Sequence, residues 1–351
     1  MKGLFKLLKL IGINAGILVV LLFIVEACLR FLGKDYGNSP ADADPVVNYV
    51  HPANYYYKMF TPSGEFGGYS IYFDSLGRRA QVPDRALRLS RDAPCVVFLG
   101  DSFTEALQVP YDSSFIGILS NRFPYASLLN YGVTGYGTIL YYLQCKKMLE
   151  VHGIRPAAVF LILYSNDVRD DSAVLHRAVF DSKRKGIIAI DGGRKNSLVA
   201  LLRRIYLVRI VNKIFLQWKF IQKEKKRDQL NGVMINELLE EAPDLENTIS
   251  AQYILKTDSL LKARNIPFLI TAIPSRYKNF TKDFSKELFA EKTEKWCRNQ
   301  KLSYINLQAA FDSSFRQNPL NFFYTKDVHC NANGHKAIAS AISIIMGKYI
   351  L

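Results

Sequence analysis

The chain has 351 residues, 49% of them hydrophobic and 13% aromatic, which is enough apolar material for a sizeable core and excludes global disorder. Its net charge of +15 is concentrated, because fourteen Lys and Arg face only two acids, Asp191 and Glu224, between Lys183 and Arg227. With the remainder near neutral and no zinc spacing or RNA-binding signature, this charge does not indicate a nucleic-acid partner. Five cysteines, Cys28, Cys95, Cys145, Cys297 and Cys330, are scattered and odd in number, and they compose neither a disulfide framework nor a metal-binding pair. No two-histidine pattern suggests a metal, and no cofactor is implied.

The N-terminus reads MKGLFKLLK, with three lysines, followed by an uncharged run from Ile11 to Val25. With Leu7, Leu8 and the flank through Leu32, it reaches the ~20 apolar residues that cross a bilayer. A cleaved secretory signal is the competing reading. However, Glu26 and Arg30 stand where cleavage would fall, and Glu26 also suits a lipoprotein site at Cys28 poorly. Residues 1–33 are therefore expected to be an uncleaved single-pass anchor. The lysines on its short side predict a cytoplasmic N-terminus and an extracytoplasmic remainder, periplasmic or extracellular.

Residues 34–92 are rich in Tyr, Pro, Gly and Ser and are expected to form a linker and an irregular extension, with one or two short strands around Tyr69–Phe73. From Cys95 the chain alternates. Strands are expected at 95–99, 127–131, 157–163, 268–272 and 303–307. Helices are expected at 115–123, 137–152, up to 263, at about 286–299, and from Asn331 to the end. Such alternation predicts a parallel sheet covered on both faces, a flavodoxin-like three-layer α/β sandwich over residues 93–351. Residues 172–248 break the rhythm and read as a basic helical insertion, with a turn at Asp191-Gly192-Gly193 and a shared face of Leu201, Leu202, Ile205 and Val208. Beside a membrane, its cations could meet anionic lipid headgroups. A solvated cap without a lipid role is the alternative.

Candidate chemistry begins where VVFLG runs into Asp101 and Ser102. Gly100 allows a sharp turn, and Asp101 or Ser102 can cap the following helix. A serine nucleophile needs a base, a group to orient that base, and donors for the developing oxyanion. Later strand ends offer them. NYGVTGYGT (130–138) supplies glycine backbone N–H groups, and YSND (164–167) supplies the neutral amide of Asn166. KDVHCNANGH (326–335) supplies Asp327 and His329, which point to one side if the segment is extended. A carboxylate beside an imidazole fixes the tautomer that a serine-directed base requires. Asn331 reads as the cap of the last helix, and His335 as structural. His51, His152 and His176 have no evident companions.

In this order, the four blocks resemble the SGNH, or GDSL-type, hydrolase family. Gly100-Asp101-Ser102 is similar to its serine block, Asn130–Thr138 to its glycine block, Asn166-Asp167 to its asparagine block, and His329 to its histidine block. FDSLGRR (73–79) resembles a lead-in of membrane-anchored bacterial members. The resemblance covers about residues 95–171 and 265–350. It implies Ser102 as nucleophile, His329 as base, Asp327 or a backbone carbonyl as the orienting group, and Ser102, Gly135 and Asn166 as oxyanion donors. Two positions depart from the family: Tyr164 stands where a glycine is usual, and Asp-x-His replaces Asp-x-x-His. The shorter spacing resembles relatives that acetylate or deacetylate exopolysaccharides. The activity so implied is hydrolysis of a small acyl ester, such as an O-acetyl group of a cell-surface glycan. O-acyl transfer in exopolysaccharide modification and a catalytically silent anchored scaffold are the alternatives.

Overall fold

Apolar runs four to six residues long, too short for helices and rich in β-branched and aromatic side chains, become the sheet. A computed structural model describes residues 2–32, 41–81, 93–181, 186–191, 201–202, 204–228, 243–276, 287–317 and 321–350. In chain order the elements begin with α1 (Lys2–Phe31), β1 (Asp42–Asp44), β2 (Asn48–Val50), β3 (Tyr55–Phe60), β4 (Gly67–Phe73) and β5 (Arg79–Ala80). The central part holds β6 (Cys95–Gly100), α2 (Ser102–Glu105), α3 (Phe115–Arg122), β7 (Ser127–Gly132), α4 (Thr138–Glu150) and β8 (Ala158–Leu163). Next come α5 (Asp167–Val174), β9 (Ala178–Phe180), β10 (Ile187–Ile190), α6 (Tyr206–Asp228) and α7 (Ile249–Lys262). The chain closes with β11 (Phe268–Ala272), α8 (Phe289–Asn299), β12 (Ser303–Tyr304), α9 (Leu307–Gln317) and α10 (Ala332–Ile350).

The central sheet has five parallel strands in the order β12-β11-β8-β6-β7. Renumbered in chain order and read from the β7 edge this is 2-1-3-4-5, the flavodoxin-like order, whose ligand crevice lies beside its first strand at the carboxyl edge. Alternation along β6 separates the two covering layers. Val97 and Leu99 join the apolar layer of α4, α7 and α8, while Val96 and Phe98 join that of α3, α9 and α10. Phe98 stacks on Phe160 with ring centroids 5.2 Å apart. Each such fully buried side chain contributes about 1.5–3 kcal/mol.

Three expectations need correction. The extension is more regular than its composition suggests: β3, β4 and β5 form an antiparallel sheet, with Tyr57, Met59, Ile71 and Phe73 buried beneath it, and β1 pairs with β2. Alternation in YYYKMF is hidden because tyrosine serves both the covered and the open face. Residues 33–40 and 82–92 lie outside the described residues. The insertion is not wholly helical, because β9 and β10 form a hairpin after α5. Its amphipathic helix starts only at Tyr206, so Leu201 and Leu202 do not continue one face with Val208. Gly192 and Gly193 of the expected turn are likewise outside the described residues. Finally, β12 ends at Tyr304, and Leu307 opens the helix α9, which burial of Leu307 and Phe311 holds in place.

Candidate active site

The position of Ser102, the candidate nucleophile, is built by crowding. A Cβ on Gly100 would lie 2.1 Å from Thr104 Oγ1 and 2.8 Å from Ile162 O, so only glycine lets β6 turn directly into α2. Asp101 is the residue that caps α2, its Oδ1 accepting from Phe103 N at 2.9 Å. Ser102 is thereby the first residue of the helix, at the carboxyl edge of β6. Burial pushes the Asp101 and Asp167 carboxyls above the usual carboxylate range, and each one's proximity to other acids adds to this.

His329, 227 positions away in the chain, brings Nε2 to 2.7 Å from Ser102 Oγ. Its Nδ1 stands 2.5 Å from Asp327 Oδ1, which also accepts from His329 N at 3.0 Å. Asp327 is thus the group behind the imidazole. Its burial pushes the carboxyl up, but the His329 hydrogen bond and charge outweigh this and hold it below the usual carboxylate range. Phe103 packs on the imidazole at 4.7 Å and on Tyr164 at 4.0 Å. Phe103 thus touches both the imidazole and Tyr164, which is buried. The other singled-out histidine of this segment, His335, is buried against Phe115, and burial pushes it down to about 3. Asn331 caps α10 by accepting from Asn333 N and Gly334 N.

The two strands paired with β6 carry the remaining candidates. Gly100 is in register with Gly132 on β7 and Ile162 on β8. Gly135 and Asn166 therefore follow at the same edge, one on each side of Ser102. Gly135 has φ +77°, a conformation glycine adopts without strain. Asn166 precedes α5 and donates from Nδ2 to Asp170 Oδ2 at 2.7 Å. Asp171 fastens α4 from below, accepting from Thr138 Oγ1 and Ser250 Oγ at 2.6 Å each and from Ile139 N at 2.9 Å.

Sequence reasoning missed a second layer supplied by the extension. His51, expected to lack companions, brings Nε2 to 2.6 Å from the fully buried Glu105. The other oxygen of Glu105 accepts from Thr134 N at 2.7 Å and from Thr134 Oγ1 at 2.5 Å. The Tyr49 hydroxyl donates to Thr134 O. Arg79, 2% exposed, donates to the carbonyls of Glu105, Ala106 and Val109, at the end of α2. The FDSLGRR segment was the one available signal for this layer. A cavity of about 280 Å³ lies behind β7, between His51, Arg78, Tyr131 and Gln144, and its lining includes neither Ser102 nor His329.

No family model matches the chain, and no curated protein matches it. Among solved structures, it is similar to a member of the lipolytic protein G-D-S-L family from Veillonella parvula. That pair shares 13% identity at a TM-score of 0.39, covering 72% of this chain and 98% of that one. An α/β hydrolase enzyme from the metagenome of Lake Arreo gives 14% identity and 0.39, over 75% and 98% of the two chains. An SGNH-hydrolase family esterase gives 15% identity and 0.35, over 75% and 99%. At these values the functional reading rests on the geometry of the site.

Proposed function

We propose that the chain is a serine ester hydrolase of SGNH type, anchored in a membrane by α1 and acting on a small acyl ester, an O-acetyl group of a cell-surface glycan. The observation that carries this reading is the contact of His329 Nε2 with Ser102 Oγ at 2.7 Å, with Asp327 behind the ring. Ser102 Oγ attacks the ester carbonyl as His329 takes its proton. The tetrahedral intermediate collapses to an acyl-serine when His329 returns that proton to the departing alcohol. Water then enters by the same route and releases the acid and Ser102. Ser102 N–H, Gly135 N–H and the Asn166 amide are the proposed oxyanion donors, each worth about 3 kcal/mol in the transition state.

Two further observations support the finer parts of the reading. Among the described residues, one helix, Gly3–Phe31, is long and apolar enough to cross a membrane by length and composition. That supports a single-pass anchor, with the lysines at its start favouring a cytoplasmic N-terminus and an extracytoplasmic catalytic domain. The Asp327-Val328-His329 spacing, similar to that of relatives acting on exopolysaccharides, supports the glycan substrate.

The test is turnover of p-nitrophenyl acetate by the full chain in detergent, alongside Ser102→Ala and His329→Ala. Each variant should lose about 10⁴-fold or more in kcat while keeping its thermal transition. Retention of full rate by both would remove the assignment. Offering an acetylated oligosaccharide, and separately an acyl donor with the bare sugar, distinguishes hydrolysis from transfer: loss of acetyl mass from the first supports hydrolysis, while mass gain on the second with no loss from the first makes the chain an O-acyltransferase.

A further inference from the structure

The helix α6 carries two opposed faces. Arg209, Lys213 and Phe220 fall on one side and pack inward. Arg209 lies over the rings of Tyr55 and Tyr206 at 5.3 and 5.4 Å, Lys213 over Phe60 at 4.7 Å, and Phe220 under the Lys326 ammonium at 5.4 Å. The opposite side presents Val211, Ile214, Phe215, Trp218 and Ile221, between 45% and 63% exposed. Their spacing of three and four residues makes a continuous apolar stripe along about three turns. Lys219 and Lys223 flank it.

The beginning of α6 is tied to α1 at a defined height. Glu26 directly follows the uncharged run that ends at Val25, so it stands where a crossing helix leaves the apolar layer. Its carboxylate accepts from Tyr206 N at 3.0 Å and Leu207 N at 2.9 Å, capping α6. Arg30 adds a hydrogen bond to Arg204 O at 3.2 Å and lies over the Tyr206 ring at 4.8 Å. A helix that starts at the membrane boundary and turns an apolar, Trp-bearing stripe outward, with lysines at its margin, has the composition of a segment lying in the interface plane.

We infer that α6 lies in the bilayer interface beside α1, with Val211, Ile214, Phe215, Trp218 and Ile221 buried among the acyl chains and Lys219 and Lys223 at headgroup level. This rests on the anchoring part of the proposed function. Lys326, which touches the inner face of α6, is next to Asp327, so the same helix holds the histidine loop close to the membrane surface. A water-soluble ester would then reach the site along the headgroup layer.

The chain has two tryptophans, Trp218 on the stripe and Trp296, which is 6% exposed in the core, as an internal control. The full chain is reconstituted into vesicles of phosphatidylcholine and phosphatidylglycerol with brominated acyl chains, and flotation is scored in parallel. Bromolipid should quench the Trp218 component at least twofold, aqueous iodide should leave it largely unquenched, and W218F should abolish the bromolipid effect. Val211→Glu combined with Ile214→Glu should return Trp218 to iodide while the chain still floats. The inference is overturned if Trp218 in floating wild-type chain is quenched by iodide and not by bromolipid. It is equally overturned if both quenchers fail, which would mean that protein, such as a second copy, covers the stripe. A chain that does not float at all removes the anchor, and this inference with it.

Discussion

The Tyr49 hydroxyl donates to Thr134 O, and that carbonyl belongs to the same peptide unit as the Gly135 N–H. Because a peptide is planar and trans, fixing its oxygen fixes its N–H in the opposite direction. Tyr49 is therefore a positioning residue for a proposed oxyanion donor, reaching it from an extension outside the central sheet. Removing such a donor outright costs about 10²–10³ in kcat, and loosening it should cost less. Tyr49→Phe is expected to lower kcat for p-nitrophenyl acetate about tenfold, with KM and the thermal transition little changed. An unaltered kcat would show that the loop keeps its aim without the phenol.

Glu105 is the hub beneath that loop, holding Thr134 from one oxygen and His51 from the other. Burial pushes its carboxyl up, but the close approach of His51 and the two Thr134 hydrogen bonds outweigh this and hold it below the usual glutamate range. A carboxyl depressed by folding stabilises the fold above its unfolded value, and the contribution is lost as pH falls through the folded one. Glu105→Ala should cost about 3–5 kcal/mol at pH 7. The difference from wild type should narrow as pH falls below the usual glutamate range. Thermal unfolding at neutral and acid pH measures both, and a gap that stays constant with pH would contradict the pairing.

Arg79 ties the FDSLGRR segment to the end of α2, with its guanidinium spread over three carbonyls. A lysine ammonium has no planar fork and cannot meet all three. Arg79→Lys is expected to lose about 2–3 kcal/mol, since buried acceptors are left without donors. The thermal transition should fall accordingly, and kcat with it, because Ser102 sits on the helix that Arg79 holds. A variant with wild-type stability would show that one hydrogen bond suffices.

Asp327 fixes which imidazole nitrogen of His329 faces Ser102. Asp327→Asn keeps the shape but permits the wrong tautomer, and kcat should fall on the order of 10⁴-fold. Because Asp327 is held below the usual carboxylate range, wild-type activity should show no additional loss from its protonation near the ordinary aspartate value. A plot of kcat against pH for both proteins measures this. If Asp327→Asn retains near wild-type kcat, a different group orients the ring.

What the sequence determined by itself was local. The runs around Val96–Leu99, Ala158–Leu163 and Phe268–Ala272 are strands because β-branched and aromatic residues, too few for a helix, can be buried on both faces only in a covered parallel sheet. Their alternation with helices then prescribed the three layers, and glycine at position 100 marked the turn that Thr104 and Ile162 leave no room to vary. The tertiary structure alone decided what met across the chain. His51 on Glu105 joins a Tyr-rich extension to α2, and Tyr49 on Thr134 joins it to a glycine loop 85 residues later. Nothing in the local pattern of either segment encodes that, because polar pairing depends on which surfaces the packed sheet brings within 3 Å. The inner and outer faces of α6 divide for the same reason: periodicity reveals that a helix has two sides, but only contact with β3 and the Lys326 loop decides which side the protein covers.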